Sequence, residues 1–300
     1  MITEILHAFS NDKKDVIRIV KGGGVLPHKL SEQITYYKNW HRLINFKNPK
    51  YFDEKLMVLK ATKYSNNNLI KKCIDKYEVR KYVESKGLKE ILNQLYFVCD
   101  KVEDIDISFL PEKFVLKANH GCGYNIIVQD KSKFDLKKAK DKLKYWLEED
   151  YGVISGEYTY KNIPRKIICE NYIGTDDGIL PIDYKFFCSR GKVICALLII
   201  GRYNDEKWLF VDKEYKDLKF VDFADKNISK YKPKCFDDMV SIAGKLSEDF
   251  DFVRVDLYQY KDKVIFGELT FTPHGCIHKY LSNEAQLWIG EKIEIDNRSK

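Results

Sequence analysis

Hydrophobic and polar positions follow two different rhythms along the chain. Up to about residue 95 the spacing is helical. Ile70, Ile74, Tyr77 and Tyr82 recur near one turn apart before Gly87 stops the run, and Phe52 to Tyr64 reads as another helix after Asn48-Pro49. Gly22-Gly23-Gly24 before Pro27 reads as a turn or linker. From Leu95 onward the period shortens. Strands are expected at Tyr96–Cys99, Phe114–Asn119, Ile126–Val128, Lys166–Ile173, Asp183–Ser189, Val193–Ile200 and Trp208–Val211. Two helices interrupt them. Asp135 caps a stripe of Leu136, Ala139, Leu143, Trp146 and Leu147, and Met239, Ile242, Ala243, Leu246 and Phe250 form a second stripe. Helices beside hairpins, with few β-α-β units, predict an α+β fold of two lobes. A mainly helical region 1–94 would precede lobes at 95–173 and 174–300, and a polar segment closes the chain.

The sharpest alternation lies between Phe252 and Pro273. Phe252, Arg254, Asp256 and Tyr258 fall on one strand face, and Val253, Val255 and Leu257 on the other. In the following strand Val264, Phe266, Glu268 and Thr270 share a face. A three-residue loop, Lys261 to Lys263, sets Asp256 opposite Glu268; a two-residue loop pairs Asp256 with Gly267 instead. Lys261-Asp262 contains neither Gly nor Asn, which disfavours the two-residue primed turn and favours the longer loop. Two carboxylates and an arginine would then share one face. Carboxylates that close need a cation beside them, and a hard ion with oxygen ligands, Mg²⁺ rather than Zn²⁺, suits that composition.

Composition narrows the class. Hydrophobic content of 44% and aromatic content of 14% indicate a folded chain. The longest apolar run, Val193 to Ile200, is far short of a membrane span. Glu4, Asp12, Lys13, Lys14 and Asp15 are out of keeping with a signal peptide. Eight cysteines without a C-x-x-C pair point away from zinc and disulfides and suit a reducing cytoplasm. The net charge of +7 comes from dispersed lysines and does not indicate nucleic acid.

A second candidate centre is the stretch Phe114 to Val128. Lys117 lies between Leu116 and Ala118, and the strand runs into His120-Gly121-Cys122-Gly123. Glycines let backbone N–H groups approach phosphates. The same residues also suit an edge-strand lysine beside an ordinary turn, with His120 a turn residue and Cys122 a small filler. Neither G-x-x-x-x-G-K-[ST] nor G-x-G-x-x-G occurs.

Five phrases together carry a family resemblance. They are Asn48-Pro49-Lys50-Tyr51-Phe52-Asp53-Glu54-Lys55, the run Asp75 to Val83, the run Phe114 to Gly121, Asp183-Tyr184-Lys185-Phe186-Phe187-Cys188, and Gly267 to Pro273. In order and spacing they resemble the ATP-grasp superfamily, and within it the TupA-like branch found among bacterial polysaccharide-biosynthesis proteins. The resemblance implies ATP held between two α+β lobes, and a carboxylate joined to an amine through an acylphosphate. It implies Lys76 and Lys117 as nucleotide lysines and Gly121 and Gly123 as the lid. Glu170, Asn171, Tyr172 and Ile173 would form the adenine hinge, and Asp176 or Asp177 would take the ribose. Asp256, Glu268 and Thr270 would be the magnesium ligands, Arg254 and Lys185 the catalytic cations, and Arg202 a substrate-binding group. Where the superfamily has Glu-x-Asn-Pro, this chain has Glu268-Leu269-Thr270-Phe271-Thr272-Pro273, which weakens the case for a second metal.

The reading that follows is an ATP- and Mg²⁺-dependent ligase acting in the cytoplasm. Its substrates would be a sugar acid, such as a hexuronate, and a small amine, in surface-polysaccharide (capsule or related) synthesis. Peripheral association with membrane-bound glycan machinery is compatible with it. The rivals are a sugar transferase, which has no need of Lys76, Lys117 and the glycine lid, and a non-catalytic glycan- or nucleotide-binding protein.

Overall fold

In a computed structural model of the chain, residues 28–175, 178–202 and 205–296 are described. The glycine turn at 22–24 and the Asp176–Asp177 pair lie outside the described residues. Helices α1 (His28–Trp40), α2 (Phe52–Leu59), α3 (Asn68–Ile74) and α4 (Val79–Ser85) precede strands β1 (Leu95–Cys99), β2 (Phe114–Ala118) and β3 (Asn125–Val128). Helices α5 (Leu136–Glu148) and α6 (Tyr151–Ile154) lead to β4 (Ile167–Asn171), β5 (Asp183–Ser189), β6 (Lys192–Ile200) and β7 (Lys207–Val211). Helix α7 (Phe236–Ser247), strands β8 (Val253–Tyr260) and β9 (Lys263–Thr270), and helix α8 (Asn283–Glu291) complete the order. Among the described residues, no helix is long and apolar enough to cross a membrane.

Compactness divides the chain at 67/68 and 271/272, which differs from the boundaries expected at 94/95 and 173/174. One unit joins 28–67 to 272–296. Its centre is Asp53, fully buried on α2, which accepts from the His278 backbone N–H (2.8 Å) and from Trp40 Nε1 (3.1 Å), with the His278 ring Nδ1 at 2.6 Å. The C-terminal stretch, expected as a polar segment, contains α8. Ser282 caps it by accepting from the Ala285 N–H, and Ala285, Gln286 and Ile289 are buried. Gly290 allows α8 to close on the segment before α2, because a Cβ there would stand 2.0 Å from the Lys50 carbonyl oxygen.

The other unit, 68–271, holds both sheets. The helical rhythm through residues 70–82 is broken at Asp75, whose Oδ1 accepts the Tyr77 and Glu78 N–H groups and so separates α3 from α4. The first sheet has the order β1-β4-β2-β3 and the second β7-β6-β5-β8-β9, all antiparallel. Period-two alternation divides the faces. In the first sheet Phe114, Leu116, Ala118, Ile167 and Cys169 join Leu143 and Trp146 of α5 in a buried cluster. In the second, Phe186 packs against Phe236 of α7, with ring centroids 5.8 Å apart.

The β8–β9 hairpin departs from the sequence expectation in an instructive way. Tyr260 pairs with Lys263, so the loop is the two-residue Lys261-Asp262, with φ of 49° and 58°. Those are primed-turn angles, adopted here without Gly or Asn. Asp256 nonetheless stands opposite Glu268, because a bulge at Gly267 takes up the extra residue between the Leu257–Phe266 and Asp256–Glu268 pairs. The bulge also corrects the expected face. Val264 and Phe266 pair with Gln259 and Leu257, while Glu268 and Thr270 pair with Asp256 and Arg254. Gly267 is required there: a Cβ would meet Tyr258 Cε2 at 2.8 Å and the Asp256 carbonyl oxygen at 2.9 Å.

Left-handed Lys261 and Asp262 store backbone strain that Asn-Gly would relieve. The double substitution Lys261→Asn, Asp262→Gly is expected to stabilise the chain by about 1 kcal/mol, read as a higher urea midpoint with an unchanged slope. An unchanged or lower midpoint would contradict the strained turn.

Candidate functional site

One cleft in the 68–271 unit collects side chains from both sheets. Val115, Lys117, Asn125, Ile127 and Glu170 line it from the first, and Asp183, Lys185, Asp256, Tyr258 and Glu268 from the second. Register explains both sets. Val115 pairs with Glu170 and Ile127, and Lys117 with Asn125, so these side chains share the face opposite α5. Lys185 pairs with Asp256, and Asp256 with Glu268, placing a three-strand row on the face opposite α7. Lys76, Arg80, Gly123, Tyr172, Ile173 and Arg202 also line the cleft.

On the second sheet the charges form one connected array. Arg254 grips Asp256 with two bonds, Nε to Oδ1 at 2.6 Å and Nη2 to Oδ2 at 2.7 Å. The same Nη2 donates to Glu268 Oε1 (3.2 Å) and Thr270 Oγ1 (2.9 Å), and Thr270 donates to Glu268 Oε1 (3.1 Å). Lys185 Nζ lies 2.6 Å from Asp256 Oδ2 and 3.5 Å from Asp183 Oδ1. Asp183 also takes the Tyr258 hydroxyl (2.8 Å) and Arg202 (3.3 Å). Asp183, Asp256 and Glu268 are thus matched by Lys185, Arg202 and Arg254. The cation demanded by the Asp256–Glu268 pair is supplied by the chain itself.

Desolvation by the cleft walls acts to raise the Glu268 carboxyl, but the charges of Lys76, Arg254 and Lys185 and the Thr270 hydrogen bond outweigh it and hold the group at about 2. Lys76 is pushed below the usual ammonium range by burial, with Glu268 acting in the opposite direction. Burial raises the Tyr258 hydroxyl well above the phenol range, and the carboxylates of Asp183 and Asp256 raise it further.

On the first sheet Glu170 is the hub. Its Oε2 takes Lys117 Nζ at 2.6 Å and its Oε1 takes Arg80 Nη1 at 3.2 Å. Arg80 Nη2 also donates to the Asn93 carbonyl (2.9 Å), and Asn93 Nδ2 to that of Asn171 (2.8 Å). Asn171 Oδ1 bonds the Tyr96 hydroxyl at 3.0 Å, so its side chain serves the sheet edge. In the glycine loop Gly121 lies buried over the Tyr124 ring, where a Cβ would come within 2.5 Å, and its carbonyl accepts from Lys76 Nζ. His120 is buried, with Nε2 2.9 Å from the Trp146 carbonyl, and Cys122 is an exposed free thiol in the loop. Asp177 lies outside the described residues.

Among the described residues no three His, Cys, Asp or Glu side chains come together as a metal cage. Asp256 is 1% exposed and is held by two cations, whereas the Glu268 side chain is 40% exposed and lines the cleft. Glu268 presents carboxylate oxygens to the cleft beside the Thr270 hydroxyl, a donor type that suits Mg²⁺, whereas both Asp256 oxygens are engaged by Arg254 and Lys185. Sequence reasoning gave no role to Arg80, Asp183 or Tyr258. Asp183 was within reach, alternating with Lys185 on a buried strand; Arg80 has no local signal, since its partner is 90 residues away.

Both antiparallel sheets, the glycine loop and the charged cleft lie within the span that one family model matches, and that model gives the class as ATP-grasp. The chain belongs to the TupA-like ATP-grasp family, whose model matches residues 54–294. No curated protein matches it. Among solved structures it is similar to an L-amino acid ligase from Bacillus licheniformis, with 13% identity, TM-score 0.44, and 75% of this chain and 49% of that one covered. It is likewise similar to a D-alanine–D-alanine ligase from Bacillus anthracis complexed with ATP, with 13% identity, TM-score 0.44, and 74% and 64% covered. A third is the ATP-grasp ligase PsnB complexed with a minimal precursor, with 13% identity, TM-score 0.38, and 73% and 59% covered. The chain therefore spans about half to two-thirds of the length of these structures.

The lowered Glu268 pKa has a consequence for acid stability. The folded-state value of about 2 lies below the ordinary glutamate value of 4.5, so its contribution is present above the unfolded pKa and lost as pH falls toward 2. Wild-type protein is expected to lose more stability than Glu268→Gln between about pH 5 and about pH 3, read as urea midpoints. Equal losses would contradict the assignment. Exposure of the side chain to solvent keeps the difference modest.

Proposed function

We propose that this chain is an ATP- and Mg²⁺-dependent carboxylate–amine ligase, and that its carboxylate substrate is a sugar acid such as a hexuronate of a surface polysaccharide. The observation that carries this reading is the cleft itself. Lys76 and Lys117 line one cleft with Glu268, Lys185 and Arg202, and Arg254 adjoins Glu268. Phosphoryl transfer needs charge neutralised around the moving group, and this set of cations is suited to it.

In this reading Lys117 leaves Glu170 for the nucleotide phosphates, while Arg80 keeps Glu170 neutralised at the hinge. Lys76 binds phosphate beneath the Gly121–Gly123 lid. Glu170, Asn171, Tyr172 and Ile173 frame the base, Asn171 through its backbone, and Asp177 is the proposed ribose residue. Glu268, Asp256 and Thr270 would hold Mg²⁺, which supplies charge neutralisation at the phosphate oxygens. Arg254 and Lys185 steady the acylphosphate formed on the substrate carboxylate, and the oxyanion that appears when the amine attacks. Arg202 orients the carboxylate before transfer. Residues 95–173 and 174–300 act as the two ATP-grasp lobes. The sugar acid rests on the polysaccharide-biosynthesis setting of the TupA-like branch, where peripheral contact with membrane-bound glycan machinery would bring enzyme and substrate together. A chain with eight cysteines and no C-x-x-C pair suits a reducing cytoplasm.

The test is ADP release across a matrix of uronic acids and small amines. ADP should form only when both are present, and Glu268→Gln should lower kcat about a hundredfold or more. Full turnover by Glu268→Gln, or release of a nucleotide from a nucleotide-sugar donor instead, would defeat the proposal.

A further inference from the structure

Two residues of the family-like phrases have no part in the cleft chemistry above, yet they are among the most buried polar groups in the chain. Asp75 is 3% exposed and Asn119 is fully buried. Asn119 Nδ2 donates to Asp75 Oδ2 (2.8 Å) and to the Pro164 carbonyl (2.9 Å), while its Oδ1 accepts the Lys166 N–H (2.8 Å). Its backbone N–H donates to the Lys166 carbonyl, and its carbonyl accepts the Lys76 N–H, both at 3.1 Å. Every donor of Asn119 is therefore used. Asp75 Oδ1 meanwhile holds the Tyr77 and Glu78 N–H groups at the turn between α3 and α4.

These bonds tie three segments at one point: the turn that carries Lys76, the end of β2 where the glycine loop begins, and the approach to β4 with Glu170. Lys76 closes the circuit by donating from Nζ to the Gly121 carbonyl. A buried network with all partners present fixes geometry; one with a donor facing a donor does not. We propose that Asp75 and Asn119 form a positioning pair that sets Lys76 against the glycine loop, so that they act on nucleotide affinity through Lys76. The inference rests on the nucleotide reading of the cleft.

A double-mutant cycle separates positioning from mere stability. ATP affinity is measured calorimetrically with Mg²⁺ for wild type, Asn119→Asp, Lys76→Ala and the double variant, with melting temperatures alongside. Asn119→Asp places a carboxylate oxygen against Asp75 and the Pro164 carbonyl. It should weaken ATP about tenfold in the wild-type background but less than about twofold in the Lys76→Ala background. Loss of the same factor in both backgrounds overturns the inference while leaving the nucleotide reading intact. An unchanged affinity in Lys76→Ala overturns both. Should Asn119→Asp not fold, Asp75→Asn, which keeps an oxygen for the Tyr77 and Glu78 N–H groups, undergoes the same cycle with the same expected outcomes. The exchange Asp75→Asn with Asn119→Asp restores the donor–acceptor sense between the two residues and should recover part of the lost affinity; no recovery counts against the pair.

Discussion

Asp256 and Glu268 sit on adjacent strands, directly opposite one another. Two carboxylates so placed repel unless cations stand beside them, and the surrounding sequence answers that need. Arg254 lies two residues away on the same face and reaches both acids and Thr270, and Lys185 reaches Asp256 from the neighbouring strand. Asp183 in turn neutralises Lys185 and Arg202. Removing one member leaves a buried charge unmatched, which costs far more than a surface ion pair contributes. The array is thus a connected unit in which each charge depends on its neighbours.

The same unit faces the first sheet across the cleft, where Lys117 and Arg80 share Glu170. The two walls differ in character. On the second sheet the charges are matched within the wall. On the first, Lys117 is half-buried and held by a carboxylate that also has Arg80, so a phosphate can draw it away without stranding Glu170. Beneath the glycine loop, Lys76 is bonded to the Gly121 carbonyl and its charge is felt by Glu268. A polyanion entering the cleft would meet cations on both walls.

How much of this was legible in sequence varies with the range of the interaction. The α+β class, the strands and the stripes of α5 and α7 follow from local periodicity and agree with the structure, except that Phe250 lies past the end of α7 and the 70–82 rhythm is broken at Asp75. Asp256 opposite Glu268 was expected, but on a mistaken turn: the two-residue Lys261-Asp262 turn and the Gly267 bulge are two departures whose effects on register cancel. Propensity argued against the primed turn, and tertiary pairing overrode it. Helix α8 was missed because its apolar stripe is short and its partner, α2, is distant in sequence. The role of Lys117 beside the glycine loop rested on residue types within a dozen positions. Arg80 on Glu170 and Asn119 on Asp75 join positions far apart, and a single sequence carries no signal for such pairings. The Thr270 departure was visible as a residue type; its hydrogen bonds to Arg254 and Glu268 were not.

The most direct test of the cleft as a nucleotide site is calorimetric titration of ATP with Mg²⁺ into wild-type protein and Lys117→Ala. A nucleotide site predicts one ATP per chain, with affinity weakened about tenfold or more by loss of the lysine. Absence of binding to wild type, or equal affinity in the two proteins, would contradict it.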